Sequence, residues 1–239
     1  MSLYRIAGTV VDYTPGCRLM EQKMEKYRIP EGSALPETAI SFRAGFLEEK
    51  LREYPHLTGD LCEYIFAGAQ FYEKLIRLNR GFMLHASAVE ADRYAYLFSA
   101  PSGTGKSTHA SLWARYLGPD RVHIINDDKP AVCIEEGQCF VYGTPFSGKT
   151  DLNENRRVPL RGIAILSRGQ NRVQRIAPSQ ALYPLLDQMV RPRRESDMDN
   201  LLSMLDFTLK ATPVYRLWAE NSIEAAKTAY EGMKGEEKP

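Results

Sequence analysis

The chain has 239 residues, of which 44% are hydrophobic and 26% charged, and its formal net charge is +1. These values are ordinary for a soluble globular protein, and the small net charge gives no support for a nucleic-acid or anionic-membrane partner. The sequence has no apolar run near the roughly 18 residues of a membrane helix, and its N-terminus lacks the apolar core of a signal peptide. We therefore expect a cytoplasmic protein that contacts neither nucleic acid nor membrane.

The first 80 residues predict a small region that mixes helices and strands. Thr58-Gly59-Asp60 is a helix-start signal, and apolar residues recur after it at near-helical spacing. In chain order we expect a strand-like run at 4–13, a charged segment at 19–27 whose state the pattern leaves open, a strand at 38–42, and helices at 47–54 and from 58 onwards. This part of the chain contains no recognisable chemical motif.

Residues 81–239 predict strands and helices in alternation. Runs at 81–89 and 94–99 predict a hairpin, a helix follows Lys106, and a short buried strand at 122–125 leads into Asn126-Asp127-Asp128. Beyond these we expect strands at 131–134 and 139–142, a hairpin of 160–167 with 172–176, helices at 178–190, 197–210 and 222–233, a strand at 214–218 and a frayed tail at 235–239. The sequence thus predicts an α/β fold, divided into a small α+β region at 1–80 and a larger unit at 81–239.

The segment from 94 to 108 has the order of features that a phosphate-binding loop requires. An apolar strand ends in a glycine-bearing turn, and Gly105-Lys106-Ser107 opens a helix. In such a turn, backbone N–H groups point at phosphate oxygens, the lysine reaches the outer phosphates, and the hydroxyl after it can ligate Mg²⁺. The pattern G-x-x-x-x-G-K-[ST] is broken at its first position by Ala100, a residue that fits there if its φ is negative.

Two adjacent carboxylates, Asp127 and Asp128, end the strand that follows the loop helix. In an α/β sheet this position lies beside the phosphates, where one carboxylate can hold Mg²⁺ directly or through water. The other is then free to accept a proton from an attacking hydroxyl. The alternative interpretation is a solvent-exposed Asp-Asp turn with no chemical role.

Three further features are weaker candidates. His85 is expected on the strand before the loop hairpin, where a lone histidine is more often a packed or surface residue than a catalytic one. The loop at 143–149 bears glycine and ends in a cation, so it could contact phosphate or substrate, or be an ordinary connection. Arginines that could engage a transferring phosphoryl group are Arg156, Arg157, Arg161, Arg191, Arg193 and Arg194.

In combination, three motifs resemble the catalytic core of the HPr kinase/phosphorylases. They are His85-Ala86-Ser87-Ala88-Val89, Ser102-Gly103-Thr104-Gly105-Lys106-Ser107 and Asn126-Asp127-Asp128. The resemblance covers roughly residues 81–166 and implies a phosphoenolpyruvate-carboxykinase-like P-loop kinase core with a mixed sheet. The stretch at 143–149 looks more like the small HPr-kinase-like proteins found with peptide-modification systems.

The resemblance implies a role for each matched residue. Asp127 and Asp128 would supply metal binding and the catalytic base, Lys106 would neutralise the phosphates, and His85 would lie close to the transferred phosphoryl group. The implied cofactors are ATP and Mg²⁺, with Ser107 near the metal. The implied nucleotide ligands are Ser102, Gly103, Thr104, Gly105, Lys106, Ser107 and Thr108.

We therefore expect a Mg-ATP-dependent kinase that transfers a phosphoryl group to a hydroxyl of a peptide, a protein serine or a small molecule. A reversible kinase/phosphorylase is compatible with the same residues. A nucleotide-binding regulatory or scaffold protein would keep the phosphate loop and use it as a switch without turnover. A phosphoenolpyruvate carboxykinase would share the loop and the aspartate pair, but those enzymes are much longer.

Overall fold

The computed structural model describes residues 2–235. The frayed tail predicted at 235–239 therefore lies outside the described residues, apart from Gly235. The first part of the chain forms β1 (Leu3–Ile6), β2 (Thr9–Tyr13), α1 (Arg18–Met24), β3 (Arg28–Ile29), β4 (Thr38–Ile40), α2 (Phe46–Glu53) and α3 (Gly59–Arg77). Among the described residues, no helix is both long and apolar enough to cross a membrane.

The N-terminal strands form a four-stranded sheet in the order β3-β1-β2-β4. β1 and β2 are an antiparallel hairpin, whereas β4 pairs with β2 in parallel. The charged segment at 19–27, whose state the sequence pattern left open, is helical. It consists of α1 and the 3-10 turn (Glu25–Tyr27) that follows α1 directly. The start predicted for α3 is confirmed, since Thr58 Oγ1 accepts a hydrogen bond of 3.3 Å from the Leu61 backbone N–H.

Residues 81–235 form nine strands and four helices, α/β as predicted. The elements are β5 (Gly81–Met83), β6 (Ala86–Ala91), β7 (Tyr94–Ser99), α4 (Lys106–Leu117), β8 (Val122–Asp128), β9 (Ala131–Glu135), β10 (Gln138–Tyr142), β11 (Arg157–Arg168), β12 (Arg172–Ile176), α5 (Pro178–Leu186), α6 (Glu195–Ala211), β13 (Val214–Ala219) and α7 (Ile223–Met233).

These nine strands make one mixed sheet, and the directions of its strands position the candidate site. The main order is β5-β9-β10-β11-β7-β6-β8, and β13 with β12 branches from the C-terminal half of β11. β6 is antiparallel to both of its neighbours, β7 and β8. β7 and β8 therefore run in the same direction, and their carboxyl ends lie at one edge of the sheet.

The strand predicted at 81–89 is wrong in one respect that matters for His85. The run breaks at Leu84 and His85 into β5, which pairs with β9, and β6, which pairs with β7 and β8. At the break the backbone N–H of Leu84 donates to Pro130 O and that of His85 donates to Gln188 O, so neither is part of the strand ladder. His85 consequently lies in the link between two strands, not on a strand.

The hairpin predicted for 160–167 with 172–176 is also wrong. β11 and β12 do not pair, because β13 lies between them, parallel to β11 and antiparallel to β12. β13 buries Val214 and Leu217, whereas most of β12 is exposed. An apolar strand from later in the chain thus takes the inner position, and the nearer but more polar segment is left at the edge.

Three groups of buried side chains make up the core. α5 and α6 cover one face of the larger sheet, and α4 and α7 cover the other. The third group combines residues from both sides of the boundary predicted at 80/81, including Tyr27 and Phe71 from the N-terminal region and Phe140 and Phe146 beyond it. The N-terminal region therefore packs directly against the larger sheet, and its assignment as a separate domain stays a prediction.

Gly143, directly after β10, lies very close to the backbone of other residues, and this close packing can be tested by substitution. A Cβ at this position would lie 1.8 Å from Glu154 O and 2.6 Å from Ile125 O, both backbone atoms that cannot rotate away. We expect Gly143→Ala to lower the free energy of unfolding by about 3 kcal/mol or more, measured by urea denaturation. Gly59→Ala is the matched control, because a Cβ there meets open space, and it should change stability by less than about 0.5 kcal/mol.

Candidate active site

Four segments meet at the edge where β7 and β8 end. They are the loop after β7, the end of β8, the link that carries His85, and the loop at 143–156 between β10 and β11. Together they enclose a cleft of about 540 Å³, which we call the first cleft. The residues that the sequence predicted from the phosphate loop, the aspartate pair and His85 all line it except Thr104, which lines a neighbouring second cleft.

The loop after β7 has the backbone that a phosphate cradle needs. Gly103 has φ of 79° and Gly105 has φ of 116°, and these left-handed conformations favour glycine. Ala100 is buried and is not among the residues with positive φ, so alanine is accommodated at the position where the usual pattern has glycine. The break in the motif is therefore compatible with the loop geometry.

Lys106 lies at the start of α4, and its ammonium group is folded back against the loop. Nζ donates to Ala100 O at 2.8 Å and to Pro101 O at 3.3 Å, and the residue is 8% exposed. Burial lowers the pKa of Lys106, while the negative charges of Asp128 and Asp127 act in the opposite direction. A phosphate bound in the loop would give this buried cation a charged partner in place of neutral carbonyl oxygens.

Asp127 is fixed by hydrogen bonds to both carboxylate oxygens. Ser87 Oγ donates to Oδ1, and Thr150 Oγ1 donates to Oδ2 at 3.0 Å. The first contact follows from strand register, because Ser87 is directly opposite Asp127 in the β6–β8 pair. Both donors are neutral hydroxyls, so they orient the carboxylate without cancelling its charge, and the residue is only 5% exposed.

Asp128 has a different environment, because two basic side chains flank its carboxylate. His85 Nε2 lies 3.3 Å from Oδ1, and Lys129 Nζ lies 3.1 Å from Oδ2. Burial by itself raises the pKa of Asp128, but the hydrogen bond from His85 and the charge of Lys129 outweigh it and hold this pKa below its ordinary value. Asp128 is therefore ionised at neutral pH.

His85 is held between Asp128 and a residue that sequence reasoning missed. Its Nδ1 lies 3.0 Å from Gln188 Oε1, and its backbone N–H donates to Gln188 O at 2.8 Å. A glutamine amide can present either oxygen or nitrogen to an imidazole, so Gln188 fits either tautomer. Gln188 follows α5, about a hundred residues away, and no local pattern marks it.

Arg168 is the second residue that the sequence did not single out. From the end of β11 its Nη2 donates to Gly103 O at 2.7 Å and its Nε to Thr104 O at 3.3 Å, and the residue lines both clefts. Its guanidinium group thus supports the phosphate loop from outside. Arg168 belongs to no arginine cluster in the sequence, whereas the arginines that we expected near the phosphates are the clustered ones.

Four of the six clustered arginines make contacts with other partners. Arg161 lies over the ring of Tyr94 and donates to Lys234 O. The remaining ion pairs are Arg156 with Glu90 and Glu154, Arg157 with Glu135, and Arg191 with Asp187. The residues that line the first cleft include none of the six arginines named from the sequence, so within the described chain Arg168 takes the position expected for them.

The loop at 143–149, for which the sequence left two readings open, does reach the first cleft. Gly148 has φ of 68°, and a Cβ on it would lie 3.0 Å from Asp128 Cβ, so the close approach of this loop to the carboxylates depends on glycine. Lys149 and Thr150 follow it on the wall of the cleft.

The second cleft, of about 500 Å³, adjoins the first along the N-terminal turn of α4. The two share Gly105, Thr108 and Arg168. The remaining lining is partly apolar and partly polar, and it consists of Leu112, Leu166, Gly169 and Ala219 with Thr104, His109, Glu220 and Asn221. The pair of clefts therefore suits an elongated ligand with a polyanionic end and a flatter, less polar end.

The donor set suits a magnesium ion that is bound together with phosphates. Among residues 2–235, no group of three or more His, Cys, Asp or Glu side chains is arranged to hold a metal by itself. Mg²⁺ in nucleotide sites typically has one or two protein ligands, and phosphate and water oxygens complete its shell. In the first cleft, Asp127, whose charge is not cancelled, and the exposed Ser107 are residues that could hold such an ion.

Comparison with known proteins shows a distant structural likeness. No protein-family profile matches the sequence, and no curated protein matches it. Among solved structures, the HPr(Ser) kinase/phosphatase from Coxiella burnetii superposes with a TM-score of 0.37 at 10% sequence identity, over 64% of this chain and 99% of that one. So distant a likeness concerns the path of the chain alone and carries no information about activity.

The environment of Asp128 predicts a pH dependence of stability. Its pKa in the folded protein lies below the ordinary value of 3.8, so its ionised form contributes stability that is present above that pH and is lost as the pH falls through the folded pKa. We expect the free energy of unfolding of the wild type to fall more steeply below about pH 4 than that of Asp128→Asn, which has no such contribution to lose.

Urea denaturation at a series of pH values measures this difference. The matched control is Asp206→Asn, because Asp206 pairs with Lys210 at 2.6 Å in an exposed position where solvent screens the interaction. Its pH curve should run parallel to the wild type. A parallel curve for Asp128→Asn as well would contradict the assignment of a depressed pKa.

Proposed function

We propose that the protein is a Mg-ATP-dependent phosphotransferase with a phosphoenolpyruvate-carboxykinase-like P-loop core of the HPr kinase kind. It transfers the terminal phosphoryl group to a hydroxyl of a peptide, a protein serine or a small molecule. One observation carries the proposal: a phosphate loop with a buried lysine opens into the same cleft as two carboxylates with different environments. A protein that only binds nucleotide needs the phosphate loop but does not need a second carboxylate that is flanked by two basic side chains.

The side chains divide the work of phosphoryl transfer between them. The N–H groups of the loop and the ammonium of Lys106 hold the phosphates and stabilise the charge that spreads over the transferred group. Ser107 and Asp127 would hold the magnesium ion, which supplies further neutralisation of phosphate charge when it is bound. Arg168 keeps the loop in its cradle shape through the carbonyls of Gly103 and Thr104.

Asp128 is the group that receives the proton. The acceptor hydroxyl donates to an oxygen of Asp128, its own oxygen bonds to the terminal phosphorus, and the bond from that phosphorus to the bridging oxygen breaks, which leaves the nucleoside diphosphate. His85 and Lys129 hold the carboxylate ionised before the step, and Gln188 fixes His85 in place. In this proposal Asp127 is the metal ligand and Asp128 the base, because only Asp127 has both oxygens oriented by neutral donors.

Replacement of the lysine or of the base tests the central claim. We expect Lys106→Ala to lose both Mg-ATP binding and transfer, and Asp128→Asn to keep binding but lose transfer by at least about 100-fold. Thermal shift with Mg-ATP reports binding. ³¹P NMR with seryl peptides, small hydroxyl compounds and water as acceptors reports transfer.

Lys210→Ala serves as the control for the lysine, since Lys210 is exposed on α6 and pairs with Asp206. Transfer by Asp128→Asn at the wild-type rate would rule out the proposed base. A wild-type protein that binds Mg-ATP but transfers nothing across these acceptors would instead indicate a nucleotide-binding regulatory protein. Phosphate-dependent removal of a phosphoryl group would indicate the reverse enzyme.

In the same proposal the second cleft receives the nucleoside of ATP. Ala219 lies on its wall, where a larger side chain would fill part of the space. We expect Ala219→Trp to weaken Mg-ATP binding about tenfold or more and to leave inorganic tripolyphosphate binding unchanged, as measured by calorimetry. Equal weakening of both ligands, or of neither, would place the nucleoside elsewhere.

A further inference from the structure

The first cleft has a wall that the N-terminal region supports from behind. This wall is the part of the 143–156 loop that contains Gly148, Lys149 and Thr150. On the cleft side, Thr150 Oγ1 donates to Asp127 Oδ2, and Gly148 lies against Asp128. On the outer side the same loop contacts α1 and α3, both of which precede the first recognisable motif.

The contact with α1 is an ion pair whose lysine is buried. The side chain of Lys23 is 7% exposed, and its Nζ lies 2.7 Å from Asp151 Oδ1. The same Asp151 oxygen accepts from Ser147 Oγ at 3.0 Å, so the pair closes the turn from 147 to 151. Burial would raise the pKa of Asp151, but the ammonium of Lys23 outweighs it and lowers this pKa. A buried lysine without its partner is costly, which ties α1 to the loop.

The contact with α3 is a hydrogen bond to the loop backbone. Tyr64 Oη accepts from the Gly148 N–H at 2.9 Å, and the ring of Tyr64 packs on Phe146. Two ammonium groups flank this ring: Lys23 Nζ at 5.2 Å and Lys129 Nζ at 5.3 Å from its centre. Lys129 in turn pairs with Asp128. One tyrosine thus contacts both the support of the loop and the cation beside the carboxylate.

We propose that Lys23 and Tyr64 are positioning residues that hold the loop at 147–151 against Asp127 and Asp128. Through this loop they fix the positions of both carboxylates. The N-terminal region therefore completes the side of the site where the acceptor hydroxyl would enter. The catalytic consequence rests on the proposed function, whereas the holding of the loop rests on the contacts alone. The nucleotide side, with Lys106 and Arg168, touches neither residue in the contacts described above.

Amide hydrogen exchange tests the holding of the loop without any assay of activity. In Tyr64→Phe the ring stays and only the hydroxyl that accepts from Gly148 is lost, so exchange in a peptide that covers 147–152 should rise about five- to tenfold. Tyr230→Phe is the control: it likewise loses one hydroxyl that makes a hydrogen bond, here to Asp92 in the turn between β6 and β7. Equal exchange in the two variants would overturn the proposal.

The ion pair is tested by a double-mutant cycle. Lys23→Met keeps the apolar stem, and Asp151→Asn removes the partner charge. Each variant should accelerate exchange in 147–152, and the double variant should exchange no faster than the faster single variant, because both changes remove one interaction. Lys50→Met, which breaks a pair with Glu53 in the same region, should leave the loop unchanged. Full additivity in the cycle would mean that the pair does not hold the loop.

The catalytic consequence is read with Mg-ATP as the probe and water as the acceptor. We expect Tyr64→Phe to lower the rate of phosphate release about tenfold with no change in the affinity for Mg-ATP, and Tyr230→Phe to alter neither. An equal fall in both variants would mean general destabilisation and would overturn the positioning role. If the wild type transfers no phosphoryl group to any acceptor, the proposed function fails instead, and the exchange rates alone decide whether Lys23 and Tyr64 hold the loop.

Discussion

The candidate site depends on the direction of three adjacent strands. β6 runs against both β7 and β8, so those two strands end at the same edge of the sheet even though they are not neighbours. The phosphate loop continues from β7, and the carboxylate pair terminates β8. The same arrangement places the start of β6 between them, which puts His85 beside Asp128 and Ser87 opposite Asp127. If β6 ran in the opposite direction, its first residues would lie away from the aspartate pair.

Asp127 and Asp128 are consecutive in the chain, but their surroundings give the two carboxylates different properties. Asp127 is buried and receives two hydroxyl donors, whereas Asp128 is flanked by an imidazole and an ammonium group. Adjacent carboxylates of one strand point to opposite faces, so they meet different elements. In the function proposed above, this separation would let one group hold a metal and the other accept a proton, and the local sequence Asp-Asp does not reveal it.

The N-terminal region adds a second dependence, because its core is continuous with that of the larger sheet. Phe146 of the 143–156 loop lies in the same buried cluster as Tyr27 and Phe71. The loop that walls the cleft is therefore anchored by the packing of Phe146 and by the polar contacts of Tyr64 and Lys23. A region without any chemical motif of its own thus contacts the wall of the candidate site through a single loop.

Much of this could be predicted from the sequence, because the information is local. Apolar periodicity and caps set the strands, the helices and the α/β class, and the spacing of Gly105-Lys106-Ser107 and of Asp127-Asp128 marked the residues that line the first cleft. What the sequence left undecided is non-local. Gln188 and Arg168 reach the site from distant elements, β13 displaces β12 from β11, and His85 leaves the strand because its backbone bonds to Gln188. Pairing and burial decide these features, and both depend on residues far apart in the chain.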